Sequence, residues 1–164
     1  MSQTLPQVAH EHHELLLRHV NGMPQAADQL LTANAADAVR ALDELSAFMT
    51  GTLIPHVDSA ERNLYPELER MFQNRHSMAP MRREHTEVRR LVEQLAKLTA
   101  DVDGSRLTLG RTLALRRVIF HLYALLKIHL AEEEAYLRIV EHGVTSDVAD
   151  MIAATMAHPA TPPA

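Results

Sequence analysis

Apolar residues recur along this chain at intervals of three, four and seven, the period of one face of an α-helix. From Ala35 to Phe72 the stripe reads Val39, Leu42, Leu45, Met49, Leu53, Ala60 and Leu64. A second stripe, His85, Val88, Val92 and Leu95, predicts a helix over about Met78 to Leu98. A third runs through Leu115, Val118, Leu122, Leu125, His129, Tyr136 and Val140, inside a helix of about Leu107 to Glu141 that Gly143 ends. The first helix spans about Thr4 to Leu31, with Thr4 as N-cap and Pro6 in the first turn, where proline is tolerated. Gly51 and Pro55 predict a kink in the second helix just before His56. Asp101–Gly104 reads as a turn, and Ser146 to Ala157 as a short fifth helix carrying Val148, Met151 and Ile152.

No segment alternates with a period of two, so strands are not expected. Four helices joined by short connections predict an all-α fold, an antiparallel up-down-up-down four-helix bundle with a short C-terminal fifth helix. One domain over residues 1–158 is expected, followed by a disordered tail, 159–164.

Composition narrows the picture. The chain is 46% apolar over 164 residues, enough for one core, yet only 4% aromatic and without Trp, so Leu, Ala, Val and Met must fill that core. A net charge of −5 and the absence of a basic run argue against a nucleic-acid surface. No stretch is long and apolar enough to span a bilayer, and the N-terminus lacks a signal-peptide core, so a cytoplasmic location is the expectation. Without cysteine there are no disulfides, thiolate metal sites or Cys nucleophiles. No Gly-rich phosphate loop and no nucleophile elbow appear.

Histidine is the outlier, with 11 in the chain. Helical phase sorts them, because residues four and seven apart share a face. His13 leads into Leu16, Val20 and Met23, and His85 into Val88, Val92 and Leu95. His56 follows Met49 and Leu53, and His129 follows Leu122 and Leu125. Each long helix therefore points one imidazole at the same core. A single inward histidine is usually a neutral ring with a hydrogen-bond partner. Four converging ones do not satisfy one another economically, and a metal resolves all four. Within the run Glu132–Glu134, phase selects Glu133, four after His129, as a carboxylate aimed at the same place. The residue four after His56 is Ala60; Glu61 lies about 140° round a regular helix, and reaches the core only through a π-bulge or the Pro55 kink. Asp58 is a poorer alternative. Histidine and carboxylate without sulfur suit iron, manganese or zinc, and this many ligands exceed one tetrahedral zinc. His121, Tyr123 and Tyr136 are candidates for outer hydrogen-bond partners or extra ligands, against the blander reading of rim residues with polar tips. His10, His19, His76, His142 and His158 read as surface.

A His on the first helix, PHVDSAERNLYPEL on the second, REHTEV on the third and HLAEEEAYL on the fourth resemble the hemerythrin-like HHE cation-binding domains over roughly residues 8–142. The resemblance implies an antiparallel four-helix bundle around two non-haem Fe ions, oxo- or hydroxo-bridged. Carried over, His56, His85, His129 and Glu133 match as ligands. On the first helix the match is open between His12, which EH followed by Leu-Leu suits, and His13, which the apolar phase favours. Two departures stand out. The family has Glu four after the second-helix histidine, where this chain has Ala60, so either Glu61 substitutes or one bridging carboxylate is missing. Oxygen-carrying hemerythrins also have a histidine where this chain has Arg89. Fewer His ligands imply an open position, and the expected function is binding of O2, peroxide or nitric oxide in the bundle core, in an oxygen, peroxide or nitric-oxide response. Redox catalysis on such a ligand is left open. An iron- or oxygen-responsive sensor or iron-handling module without catalysis is the alternative. A ferritin-like oxidase is disfavoured, because no Glu stands three before any His.

Overall fold

The computed structural model describes the backbone of residues 5–32, 34–100, 102 and 107–143, and side chains within them from residue 12 to residue 139. The expected fifth helix, the tail 159–164, Thr4, Asp101, residues 103–106 and the side chains of His10, Val140 and His142, with all of His158, lie outside the described residues. Among the described residues every regular element is helical: α1 (Leu5–Thr32), α2 (Ala35–Phe48), α3 (Ile54–Ser59), α4 (Tyr65–Met71), α5 (Ala79–Thr99) and α6 (Leu109–Gly143). No helix among them is long and apolar enough to cross a membrane.

The helices α2, α3 and α4 form one continuous helical run, interrupted by two π-turns, Met49–Leu53 and Ala60–Leu64. In each, an N–H donates five residues back instead of four: Ile54 to the Met49 carbonyl, Tyr65 to the Ala60 carbonyl. Each π-turn ends two residues before a proline, Pro55 and Pro66. A proline ring lacks the N–H and collides with the carbonyl four residues back, and a widened turn upstream relieves both defects. The irregularity foreseen at Gly51 and Pro55 therefore takes the form of a π-turn, and a second follows that only Pro66 signals.

Caps and stops are local. Asn34 accepts a hydrogen bond from the Asp37 N–H at 3.0 Å and starts α2. Gln73, with φ 50°, stops α4, where Asn74 donates to the Glu69 carbonyl and Gln73 to that of Arg70, closing the last turn on itself.

Helix α1 packs on α2 and α6, and α5 on α6 and α2, so the four long segments enclose one interior. That interior has two apolar clusters. The larger gathers Leu16, Val20 and Met23 of α1, Leu42 and Leu45 of α2, Val57 of α3, Val88, Leu91 and Leu95 of α5, and Leu122, Leu126 and Leu130 of α6. The smaller holds Ala60, Leu64, Tyr65, Leu68, Met78, Met81 and Leu137. On α6, His129 and Glu133 fall between Leu126 of the first cluster and Leu137 of the second; on α5, His85 falls between Val88 and Met81. A polar layer thus separates two dry ones. Between α1 and α6, Arg116 donates to the Ala27 carbonyl and Asp28, Lys127 to Asn21, and His13 to Glu134, so numbering rises on one helix as it falls on the other.

Candidate metal centre

The polar layer consists of His13, His56, His85, His129 and Glu133, each buried, with Glu133 at 0% exposure. Helical phase alone points these five inward. They come from α1, α3, α5 and α6, one imidazole per element, and Glu133 sits one turn after His129.

Glu133 organises the layer. Its Oε2 lies 3.0 Å from His56 Nε2 and 3.3 Å from His13 Nε2. Those three atoms lie within 4.8 Å of one another, the spacing of a ligand set around one ion. Its Oε1 turns the other way and accepts a hydrogen bond from the Tyr65 hydroxyl at 3.2 Å. Tyr65 Oη is in turn 3.1 Å from His85 Nε2, which lies 3.0 Å from His129 Nε2. Oε2 therefore meets the His13–His56 pair directly, while Oε1 reaches the His85–His129 pair only through the Tyr65 hydroxyl, and His13, His56 and Glu133 alone among the described residues have the spacing of a ligand set.

Outside the layer, carboxylates hold three of the four rings. His13 Nδ1 donates to Glu134 at 3.0 Å, His85 Nδ1 to Glu61 at 3.0 Å, and His129 Nδ1 to Glu84 at 2.8 Å. A proton fixed on Nδ1 leaves the inward Nε2 with its lone pair when the ring is neutral. The fourth ring, His56, faces His12 Nε2 through its Nδ1 at 3.3 Å. On the first helix, His13 lies in the layer and half-buried His12 lies behind His56.

These contacts set the electrostatics. Burial opposes ionisation of Glu133, yet His56, His13 and His129 outweigh it and hold the carboxyl well below its usual range. Burial, reinforced by His129, lowers His85 to about 3, and burial, reinforced by His56 and His13, lowers His12 to about 4. Burial also works against a charged His13, but Glu133 and Glu134 prevail and raise it. Burial and Glu133 push the Tyr65 phenol upward.

The donor set fits a metal. His85 Nε2 and His129 Nε2 face each other at 3.0 Å with their Nδ1 protons committed elsewhere, so two lone pairs oppose unless something positive lies between. His13 Nε2 is buried with only the 3.3 Å contact to Glu133 Oε2, which does not reach hydrogen-bond geometry. A fully buried anion surrounded by imidazoles requires positive charge nearby. A bound cation would supply it. The outer carboxylates then act as ring anchors that also raise ligand basicity. Glu84→Gln is expected to weaken metal binding about 10- to 100-fold while helical content stays unchanged; competition against a chromophoric chelator checks it, and unchanged affinity would remove Glu84 from this role.

The remaining sequence candidates fall outside the layer. Glu61 meets the outer nitrogen of His85, and Arg89 pairs with both Glu61, at 3.2 Å, and Asp58. His121 is exposed, 3.9 Å from Glu87. Tyr123 packs against the larger apolar cluster, and Tyr136 against Phe72 with ring centroids 6.1 Å apart. Exposed His19 stacks on Phe48. Helical phase missed Tyr65. Nine residues after His56, it belongs about 180° away on a regular helix; the π-turn sets the chain back one position and brings it round to the buried face.

A family model described as hemerythrin HHE cation binding domain matches residues 4–137 of the chain. No curated protein and no solved structure matches it.

Proposed function

The chain belongs to the hemerythrin family of HHE cation-binding domains, and on that premise we propose that it holds two non-haem iron ions and binds a small ligand of the class O2, peroxide or nitric oxide beside them. One position would be held by His13, His56 and Glu133 Oε2, the other by His85 and His129 with Glu133 Oε1 on their side. The observation that carries this reading is one fully buried carboxylate whose Oε2 lies against His56 and His13 and whose Oε1 is linked through the Tyr65 hydroxyl to His85 and on to His129. The alternation of numbering between α1 and α6 supports the antiparallel up-down-up-down arrangement in which such a pair sits at mid-bundle.

Iron bound in this way, with an oxo or hydroxo bridge, supplies reversible redox chemistry and an exchangeable coordination position. The chain's own residues do the rest. Glu134, Glu61 and Glu84 orient three imidazoles. Leu126, Leu130, Val57 and Val88 on one side, and Leu64 and Leu137 on the other, keep bulk water from the layer. Arg89 is committed to Glu61 and Asp58, so the position where oxygen carriers place a further histidine contributes no ring. Fewer nitrogen ligands favour a site open to a small ligand.

Metal analysis of the purified chain, with absorption spectra before and after peroxide or nitric oxide, tests this. Two irons per chain, a ferric-pair spectrum and its change on ligand addition are expected. A chain that excludes iron, or holds a single ion, overturns it.

A further inference from the structure

We infer that Tyr65 is a direct oxygen ligand of the second metal position, completing with His85 Nε2, His129 Nε2 and Glu133 Oε1 a set of two nitrogens and two oxygens. The inference rests on the proposed two-iron site and adds to it a ligand that the spacing of histidines and carboxylates does not contain. The position four after His56, where a bridging carboxylate is expected, is Ala60, whose methyl is buried in the smaller apolar cluster and offers no donor. Glu61, one residue late, is engaged by His85 Nδ1 and Arg89. The second position would therefore be one oxygen short.

Tyr65 supplies that oxygen by geometry. Its side chain is fully buried and its hydroxyl is the group that links the halves of the layer, 3.1 Å from His85 Nε2 and 3.2 Å from Glu133 Oε1. Its ring stacks on the His85 imidazole, centroids 5.2 Å apart and planes 19° from parallel. The guanidinium of Arg82 lies 5.5 Å from the ring centroid on α5, and is itself held by the Glu61 carbonyl and Glu69. A cation so placed lowers the cost of a phenolate in a buried site. Phenolate oxygen is also a hard donor suited to ferric iron. The backbone shares in this: the Ala60–Leu64 π-turn, imposed upstream of Pro66, is what turns Tyr65 inward. Ligation forms one metal–oxygen bond, and the phenolic proton leaves to solvent.

Resonance Raman and visible absorption of the ferric-loaded full chain test the assignment. A phenolate-to-iron charge-transfer band with enhanced tyrosine ring modes is expected, together with its complete loss in Tyr65→Phe and its retention in Tyr123→Phe and Tyr136→Phe. Should Tyr65→Phe fail to fold, Raman on wild-type chain carrying ring-deuterated tyrosine decides whether a tyrosinate is bound, and loss of the band in either other variant contradicts Tyr65. Two bound irons without a tyrosinate signature, or a band that survives in folded Tyr65→Phe, overturns the inference and leaves the two-iron reading standing. A wild-type chain that takes up no iron overturns both.

Discussion

A Glu133→Gln chain is expected to lose iron from both positions at once while keeping its helices. Glutamine preserves volume and one carbonyl oxygen, so the apolar clusters on either side need not repack. It removes the only carboxylate among the buried side chains of the described residues, and with it the negative charge that would partner the two proposed cations. Because an outer carboxylate alone is worth about 10- to 100-fold in metal affinity, losing a ligand shared by two ions should cost at least about 100-fold. Truncation to Ala is harsher. Removing one member of a buried charge pair costs about 3–5 kcal/mol, and here it also leaves His13 and His56 facing an empty space. Metal content after dialysis reads the first effect, and urea unfolding of the metal-free chains reads the second. A Glu133→Gln chain that retains two irons would refute the shared-carboxylate arrangement.

Glu133 shows what the sequence carries. Three consecutive glutamates look alike by composition, but only the middle one lies four after His129 in the apolar phase. The structure buries it at 0% and leaves Glu132 exposed and Glu134 at the rim, holding His13. The same logic, applied to regular stretches of α1, α5 and α6, separates His13, His85 and His129 from His19 and His121. It works there because 100° per residue is a good ruler on an unbroken helix. Helix limits were legible to within one or two residues for the same reason.

Between Ala35 and Met71 the ruler still finds the stripe, with Leu42, Leu45, Met49, Leu53, His56, Ala60 and Leu64 buried, and it rightly keeps Glu61 on the flank against His85 Nδ1. It fails at Tyr65, because two π-turns each insert one residue and Tyr65 comes inward where regular spacing points it away. The physical signal was present in Pro55 and Pro66. Each proline forbids the regular hydrogen bond of the turn before it, and a chain that stays helical through such a residue widens locally. Proline read as a kink marks the location of the defect but not its consequence for phase. The outer carboxylates were illegible for a different reason. Glu84 and Glu134 lie beside inward residues on their helices, and only the neighbouring helix determines which imidazole each one meets.

Metal removal is expected to loosen one end of the bundle much more than the other. The larger apolar cluster draws on α1, α2, α5 and α6 and does not depend on the polar layer for closure. The smaller one holds α4 and the Phe72–Met78 connection to α5 and α6 through a handful of side chains. Its tie to α1 runs through the polar layer, where Tyr65 reaches Glu133 and Glu133 reaches His13. Ions binding the folded chain alone stabilise it by about 2.7 kcal/mol at a hundred times the dissociation constant. For a domain of this size that corresponds to roughly 5–10 °C in unfolding temperature. Amide exchange should accelerate on chelation across α4 and the start of α5, and change little across Leu42–Leu45 and Leu91–Leu95, where the larger cluster holds. Uniform acceleration over all helices would mean that the metal supports the whole fold. An unchanged unfolding temperature would mean that the polar layer is already satisfied without it. Only the local outcome gives a bundle whose far end can report iron occupancy while its core stays folded, which is the physical requirement for the sensing alternative.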